Sequence, residues 1–386
     1  MNYKTLWLFL ITLAVFSCSK PEVKNEKFVT INAAKPNLKE PVASQQLFES
    51  VQIVSLETNE DLLMAAANQV KFFEDQYFVL DRQIQKLFVF DLLGNFKYQI
   101  GTEGDGPGEY REVVDFDIDE VSKKLYMFCP EQLAIQVYAT SGEHMERIKL
   151  DFYSSRFSLL GNDKLAFYTN YNPSDVSGYS NVLITDMKGK VLKKYFPYPK
   201  SIEMSIGFSG LFAGNGISGF YAHAFSDTLH LLNIETGKMD QSIRFDFDGN
   251  EWPHGFDFSS LYQPGSIDFS FLNTSLFYND DFLFQGIMHE RRNRNLVYNR
   301  KNGHAFNEND VSEDLLFKMI NAPKTVLPDG TYVSSLSSLG IGALKKVYPE
   351  EWEQFEVNYP ELVPPLLALE QEQNPVLILF KLNSDL

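Results

Sequence analysis

A near-constant interval between turn glycines constrains this chain more than any other feature. Apolar, alternating segments that run into a Gly-bearing turn recur at residues 87–96, 135–143, 182–190 and 229–238, with a less regular copy at 295–303. The turn glycines are Gly94, Gly142, Gly189, Gly237 and Gly303, and their spacings are 48, 47, 48 and 66 residues. A fixed period of this kind dictates a whole fold, so it is settled before local structure. Alternation with period two means strands, and each hairpin follows another apolar run that ends in a polar turn, as at 77–81 and 125–129. Four antiparallel strands in about 40–50 residues form a propeller blade. Glycine sits where a tight hairpin needs positive φ, with Asp, Asn, Ser and Thr around it for the same local reason.

The two ends of the chain predict how the ring closes. Residues 375–383 form a good strand that stops where the other blades turn into their outermost strand. Residues 50–56 form a strand followed by a polar loop and then Val70 and Phe72, copying the order seen around 96–116. The N-terminal strand therefore completes the last blade. Five Gly-marked blades and this composite one predict an all-β, six-bladed β-propeller over 47–386, with 18–46 as tether and N-terminal extension. Two departures from the period predict insertions. Residues 249–266, with Trp252, Pro253, His254, Pro264 and Gly265, form an elaborated loop, and 343–374 hold short helices within the last blade. Asp310 and Glu313 fit N-cap and N3 of a helix over 315–320.

Residues 1–17 have the form of a lipoprotein signal peptide: Lys4 supplies the positive end, and the apolar stretch 6–16 is too short to span about 30 Å of hydrocarbon. It ends in Ala14-Val15-Phe16-Ser17-Cys18, similar to a lipobox, in which the Cys is lipidated and becomes the new N-terminus. The polar run after Cys18 has the composition of a tether, so the membrane is a partner through a lipid anchor and not through a spanning helix. The expected address is the cell envelope, at the outer membrane facing the periplasm, with exposure on the cell surface as the alternative. With Cys18 lipidated, Cys129 has no partner and reads as a small buried hydrophobe within 125–129. The 51 Asp and Glu against 34 Lys and Arg give a net charge of −17, which argues against nucleic acid as a partner. Removing residues 1–18 takes away Lys4 and no acid, moving the charge to −18.

The loop Gly101-Thr102-Glu103-Gly104-Asp105-Gly106-Pro107-Gly108-Glu109-Tyr110, with Leu56-Glu57-Thr58 before the first blade and the lipobox, resembles a pattern of the six-bladed β-propeller lipoproteins of Bacteroidetes. There a Gly-Pro-Gly-Glu-Tyr loop joins the first blade to the second. The resemblance is sharp over about residues 50–150 and implies a fold and an envelope location. It carries over no catalytic residues.

Candidate sites sort by face. Loops between the second and third strands of a blade, and crossings between blades, share one face; the Gly-marked hairpins lie on the other. The first face receives 57–61, Asp81, Arg82, Glu103, Asp105, Glu109, Tyr110, Arg111, the loop 168–172 with Tyr171, His223, His289 and the basic run from Arg291 to Arg294. Tyr, Arg, Asn and His around a central depression suit a polar small molecule, a glycan or a peptide, or a protein partner. Residues 101–108 fail as a phosphate loop, because a strand follows, no Lys-Ser or Lys-Thr comes after, and the acids repel an anion. Glu103, Asp105 and Glu109 with nearby carbonyls are hard donors that leave calcium open, without the order of an EF-hand. The alternative is a tight crossing anchored by Tyr110. His223 and His289 occupy corresponding places in neighbouring repeats and lack a nameable third metal ligand. With no Gly-x-Ser-x-Gly or His-Glu-x-x-His motif, the expectation is a non-catalytic binding propeller that needs no cofactor. A calcium-type propeller hydrolase or lactonase and an envelope scaffold are the alternatives.

Overall fold

The computed structural model describes residues 27–35, 42–161, 163–202, 212–215, 218–233, 238–253, 255, 257–258, 268–307, 310–311, 315–320, 322–369 and 373–385. Cys18, the signal segment, the Gly237 turn, His254 and Glu313 lie outside them. Six sheets stand around an axis in chain order, five of four strands and one of five. Blade 1 runs Gln69–Phe73, Gln76–Asp81, Lys86–Asp91 and Phe96–Ile100, and blade 2 runs Asp115–Asp119, Lys124–Cys129, Ala134–Ala139 and His144–Lys149. Blade 3 begins at Arg156–Leu160, blade 4 at Phe212–Asn215, blade 5 at Phe271–Tyr278 and blade 6 at Thr325–Val326. These innermost strands touch their neighbours from blade 1 through blade 4, and from blade 5 through blade 6 back to blade 1.

The core is distributed as wedges between sheets. In the second strand of blade 1, Tyr77 and Val79 pack toward blade 6 with Val333 and Leu377, while Phe78 and Leu80 pack toward blade 2 with Phe116 and Met127. Both faces of such a strand are buried, so successive residues must all be apolar, which explains the continuous run Tyr77-Phe78-Val79-Leu80. Between blades 5 and 6, the Phe284 ring lies 4.7 Å from that of Tyr332, which stacks on Phe380 at 5.5 Å. Each such ring contributes about 1.5–3 kcal/mol on burial.

The ring closes as the sequence order requires. Phe48–Ser55 pairs antiparallel with Val376–Leu382, Ile53 opposite Ile378, and forms the outer strand of blade 6. The N-terminal extension is more than a tether: Lys27–Asn32 adds a fifth, parallel strand to the outer edge of blade 4, from Lys27 opposite Gln241 to Asn32 opposite Asp246. Val29 and Ile31 pack into the wedge between blades 4 and 5, and their burial drives this addition.

Two expectations need correction. The helical insertion of blade 6 starts five residues earlier than read from the sequence, as Ser338–Val347, Pro349–Asn358 and Val363–Ala368, because Ser337 caps the first helix by accepting from the Gly340 amide at 3.4 Å. Asp310 is not an N-cap: its carboxylate accepts from the Asn307 amide at 2.9 Å, closing a turn ahead of the helix Leu315–Met319. Strand alternation puts these three helices, the crossings and the second-to-third-strand turns on one face, the crowned face. The opposite face carries short hairpins.

Candidate functional site

Four charged residues from four consecutive blades meet at the crowned end of the central channel. Arg156 is the first residue of the innermost strand of blade 3, and Asp115 the first of blade 2. Lys324, whose amide donates to the Val333 carbonyl at 2.6 Å, immediately precedes the innermost strand of blade 6. The Arg82 amide donates at 2.8 Å to the side chain of Asn68, the residue before the innermost strand of blade 1. Burial, together with repulsion from Arg156, lowers the Arg82 guanidinium to about 10 against a partial offset from Asp115. Burial and the Arg82 charge lower Lys324 in turn. One step down the channel the cations are neutralised, for Lys71 pairs with Asp117 at 3.0 Å. Asp117 also accepts from the Leu159 amide at 3.0 Å, and Gln69 donates to the Phe116 carbonyl at 2.9 Å, so side chains lace blades 1, 2 and 3 together.

The residues chosen from the sequence separate into different roles. Arg82 stands at the mouth. Asp81 does not: it is fully buried, accepts from the amides of Ala65 (2.6 Å) and Ala66 (2.9 Å), and closes its own turn through Gln83 (2.8 Å), so it ties the crossing from blade 6 to blade 1. The Gly-rich loop crosses above the third and outer strands of blade 2 and away from the axis. Thr102 and Glu103 pair in parallel with Glu109 and Tyr110, and Glu103 is exposed. Asp105 forms a two-bonded ion pair with Arg111 at 2.6 and 3.0 Å. Glu109 accepts from the Gly106 amide at 2.7 Å, and its carbonyl accepts from Gln136 at 2.8 Å. The Tyr138 hydroxyl donates to the Gly108 carbonyl at 2.7 Å, and Tyr110 is fully buried as an anchor. The three carboxylates of the calcium reading thus take separate roles, and among the described residues no group of three or more His, Cys, Asp or Glu is arranged to hold a metal.

Tyr171 is likewise withdrawn from solvent. It belongs to an aromatic cluster with Tyr198, Phe225, Trp252 and Phe258 that seals the crowned face over blades 3 to 5, and its hydroxyl accepts from the Ala224 amide at 3.1 Å. His223 bonds through Nδ1 to the Tyr221 hydroxyl at 2.9 Å, which accepts from Asn181 at 3.0 Å; burial, then repulsion from His230, lowers His223 to about 4. His289 is buried, bonds to the Ser270 hydroxyl at 2.7 Å and stacks on Phe247, and burial lowers its pKa as well. Arg291 sits in an exposed two-residue turn at φ +63° and pairs with Asp268, while Arg294 pairs with Glu290 at 2.7 Å. Both histidines hold neutral rings at neutral pH and face separate partners.

Residues 27–381 match the family described as "Domain of unknown function (DUF4934)". The chain belongs to the DUF4934 family. Among solved structures this DUF4934 chain is similar to a "Putative exported protein" from Bacteroides fragilis, with 17% identity and a TM-score of 0.70, covering 92% of this chain and 99% of that one. It is also similar to a member of the duf4221 family from Bacteroides vulgatus, with 10% identity and a TM-score of 0.52, covering 87% and 97%. Identities this low bear on the fold alone. No curated protein matches.

Sequence reasoning missed Arg156, Lys324 and Asp115 because it searched loops. The available signal was positional: Asp115 and Arg156 stand at matching places in the repeat, each the first residue of an innermost strand.

Proposed function

We propose that this DUF4934 protein is a lipid-anchored envelope propeller that binds a polar ligand, a glycan or peptide, or a protein partner, on its crowned face without chemistry. One observation carries this reading: the insertions concentrate on one face, three helices of blade 6 and the aromatic-sealed crossings of blades 3 to 5, and that face also holds the charged channel mouth. Loops placed by a rigid scaffold are where propellers hold function, and a ring of them builds a concave, polar-lined site. The anchor rests on the Ala14-to-Cys18 segment, and a periplasm-facing outer-membrane position on the absence of a dense acidic run after Cys18. No helix among the described residues is long and apolar enough to cross a membrane.

The test is a face contrast. The purified full chain is screened against arrayed glycans and peptides beside Gln83→Trp, which blocks the crowned face at an exposed turn, and Leu93→Trp, at an exposed hairpin of the other face. Binding lost only in Gln83→Trp supports the reading, and binding lost only in Leu93→Trp contradicts it. Metabolic labelling with alkyne-palmitate, present in wild type and absent in Cys18→Ala, tests the anchor.

A further inference from the structure

We infer that the channel mouth is a binding site for an oxyanion group, the carboxylate, sulfate or phosphate of a small ligand, gripped by Arg82, Arg156 and Lys324. This inference rests on the crowned-face reading and names the chemistry of its ligand.

Three facts combine. First, the three cations come from blades 1, 3 and 6 and converge at one end of the channel: Arg156 and Lys324 sit at the crowned ends of innermost strands, and Arg82, in the turn after the second strand of blade 1, is bonded to Asn68 just before that blade's innermost strand. Second, among the described residues none of the three side chains makes a hydrogen bond or ion pair, and the half-buried Arg82 has an Nε that is itself buried and without a partner. Unpaired cations elsewhere among the described residues, such as Lys97 and Lys149, are exposed to water, whereas Arg82, Arg156 and Lys324 are each partly withdrawn from it. Third, the nearby carboxylate, Asp115, is engaged with the backbone, accepting from the Phe116 amide at 3.0 Å and the Phe157 amide at 3.4 Å. Two guanidinium groups and an ammonium against one carboxylate leave an excess of positive charge in a desolvated place. Like charges are expensive to hold together unless an anion completes the set.

The donor chemistry selects the ligand. A guanidinium presents paired N–H donors that match two oxygens of a carboxylate, sulfate or phosphate, and the lysine adds a point charge. A halide offers no such two-point match. The strongly acidic exterior disfavours non-specific collection of anions, so selectivity must come from contact at the mouth.

The experiment is thermal unfolding of the purified full chain in sodium sulfate or sodium phosphate, against sodium chloride at matched ionic strength. Sulfate and phosphate are expected to raise the midpoint beyond chloride, saturably, and calorimetric titration with sulfate should give an affinity roughly tenfold weaker in Arg82→Met and in Arg156→Met. Lys97→Met, on the outer strand of blade 1, should retain wild-type affinity. Arg156→Met should melt no lower than wild type in sulfate-free buffer, since it relieves repulsion. Absence of any oxyanion-specific shift in wild type, or full affinity in both arginine variants, overturns the inference. If the oxyanion effect is absent while a neutral glycan or peptide still binds wild type and not Gln83→Trp, this inference falls and the crowned-face reading stands.

Discussion

Asn374 and Met64 lie 310 residues apart in sequence and are joined by a 2.7 Å hydrogen bond from the Met64 amide to the Asn374 side-chain oxygen. The same side chain donates to the carbonyls of Glu57 (2.7 Å) and Leu62 (2.9 Å), while the backbone amide of Asn374 donates to the Thr58 hydroxyl at 2.9 Å. One buried amide group therefore holds the crossing into blade 1 against the last strand of blade 6. Asn374→Ala leaves two buried backbone groups, the Met64 amide and the Leu62 carbonyl, unsatisfied and should cost about 3 kcal/mol. Urea denaturation measures this, and a loss under about 1 kcal/mol would show that the seam holds without it.

The Gly-rich crossing should respond as structure and not as a ligand loop. The Tyr110 hydroxyl is buried with no hydrogen-bond partner, so Tyr110→Phe should be neutral or stabilising by up to about 1 kcal/mol. Gly108 has φ +79°, and a Cβ there would lie 2.6 Å from the His144 ring, so Gly108→Ala should cost about 2 kcal/mol or more. Equal melting temperatures for Gly108→Ala and wild type would contradict this.

His223 makes stability depend on pH in a defined direction. Its folded pKa is lowered to about 4 from 6.5, so between those values the unfolded chain binds more protons and stability rises with pH. The contribution is complete above pH 6.5 and is lost as pH falls toward 4, reaching roughly 3 kcal/mol. His223→Gln should flatten the wild-type curve over that window when urea midpoints are compared. Parallel curves would show that the ring titrates normally.

Cys129 is fully buried and its thiol is pushed up to about 12 by burial. A thiol-specific reagent should label it only as fast as the protein unfolds, and denaturant should release the reaction. Rapid labelling of the native chain would place this thiol at the surface.

The blade count was legible because physics ties it to pattern. Burial of both strand faces forces runs such as Tyr77 to Leu80, and the third-to-fourth-strand hairpins of blades 1, 2, 3 and 5 each hold a glycine at positive φ, so the period survives in the sequence. Ring closure was legible from strand order alone. The parallel strand Lys27–Asn32 was not, since its partner in Lys238–Asp246 lies over two hundred residues away and nothing local marks so long-range a pairing. The candidate site was legible only at Arg82. Asp81, Tyr110 and Tyr171 are of site-like type, but their burial, and the hydrogen bonds of Asp81 and Tyr171 to backbone amides, are properties of packing. Lys324 falls in the interval where insertions break the repeat frame, so no register located it.

Oxyanion capture at the channel mouth is tested most directly by anomalous scattering from crystals soaked in selenate. The expected result is a selenium peak in contact with both the Arg82 and Arg156 guanidinium groups and within reach of the Lys324 ammonium. Selenium peaks elsewhere on the protein with none at the mouth, or the two arginines found paired to carboxylates of the chain itself, would contradict it.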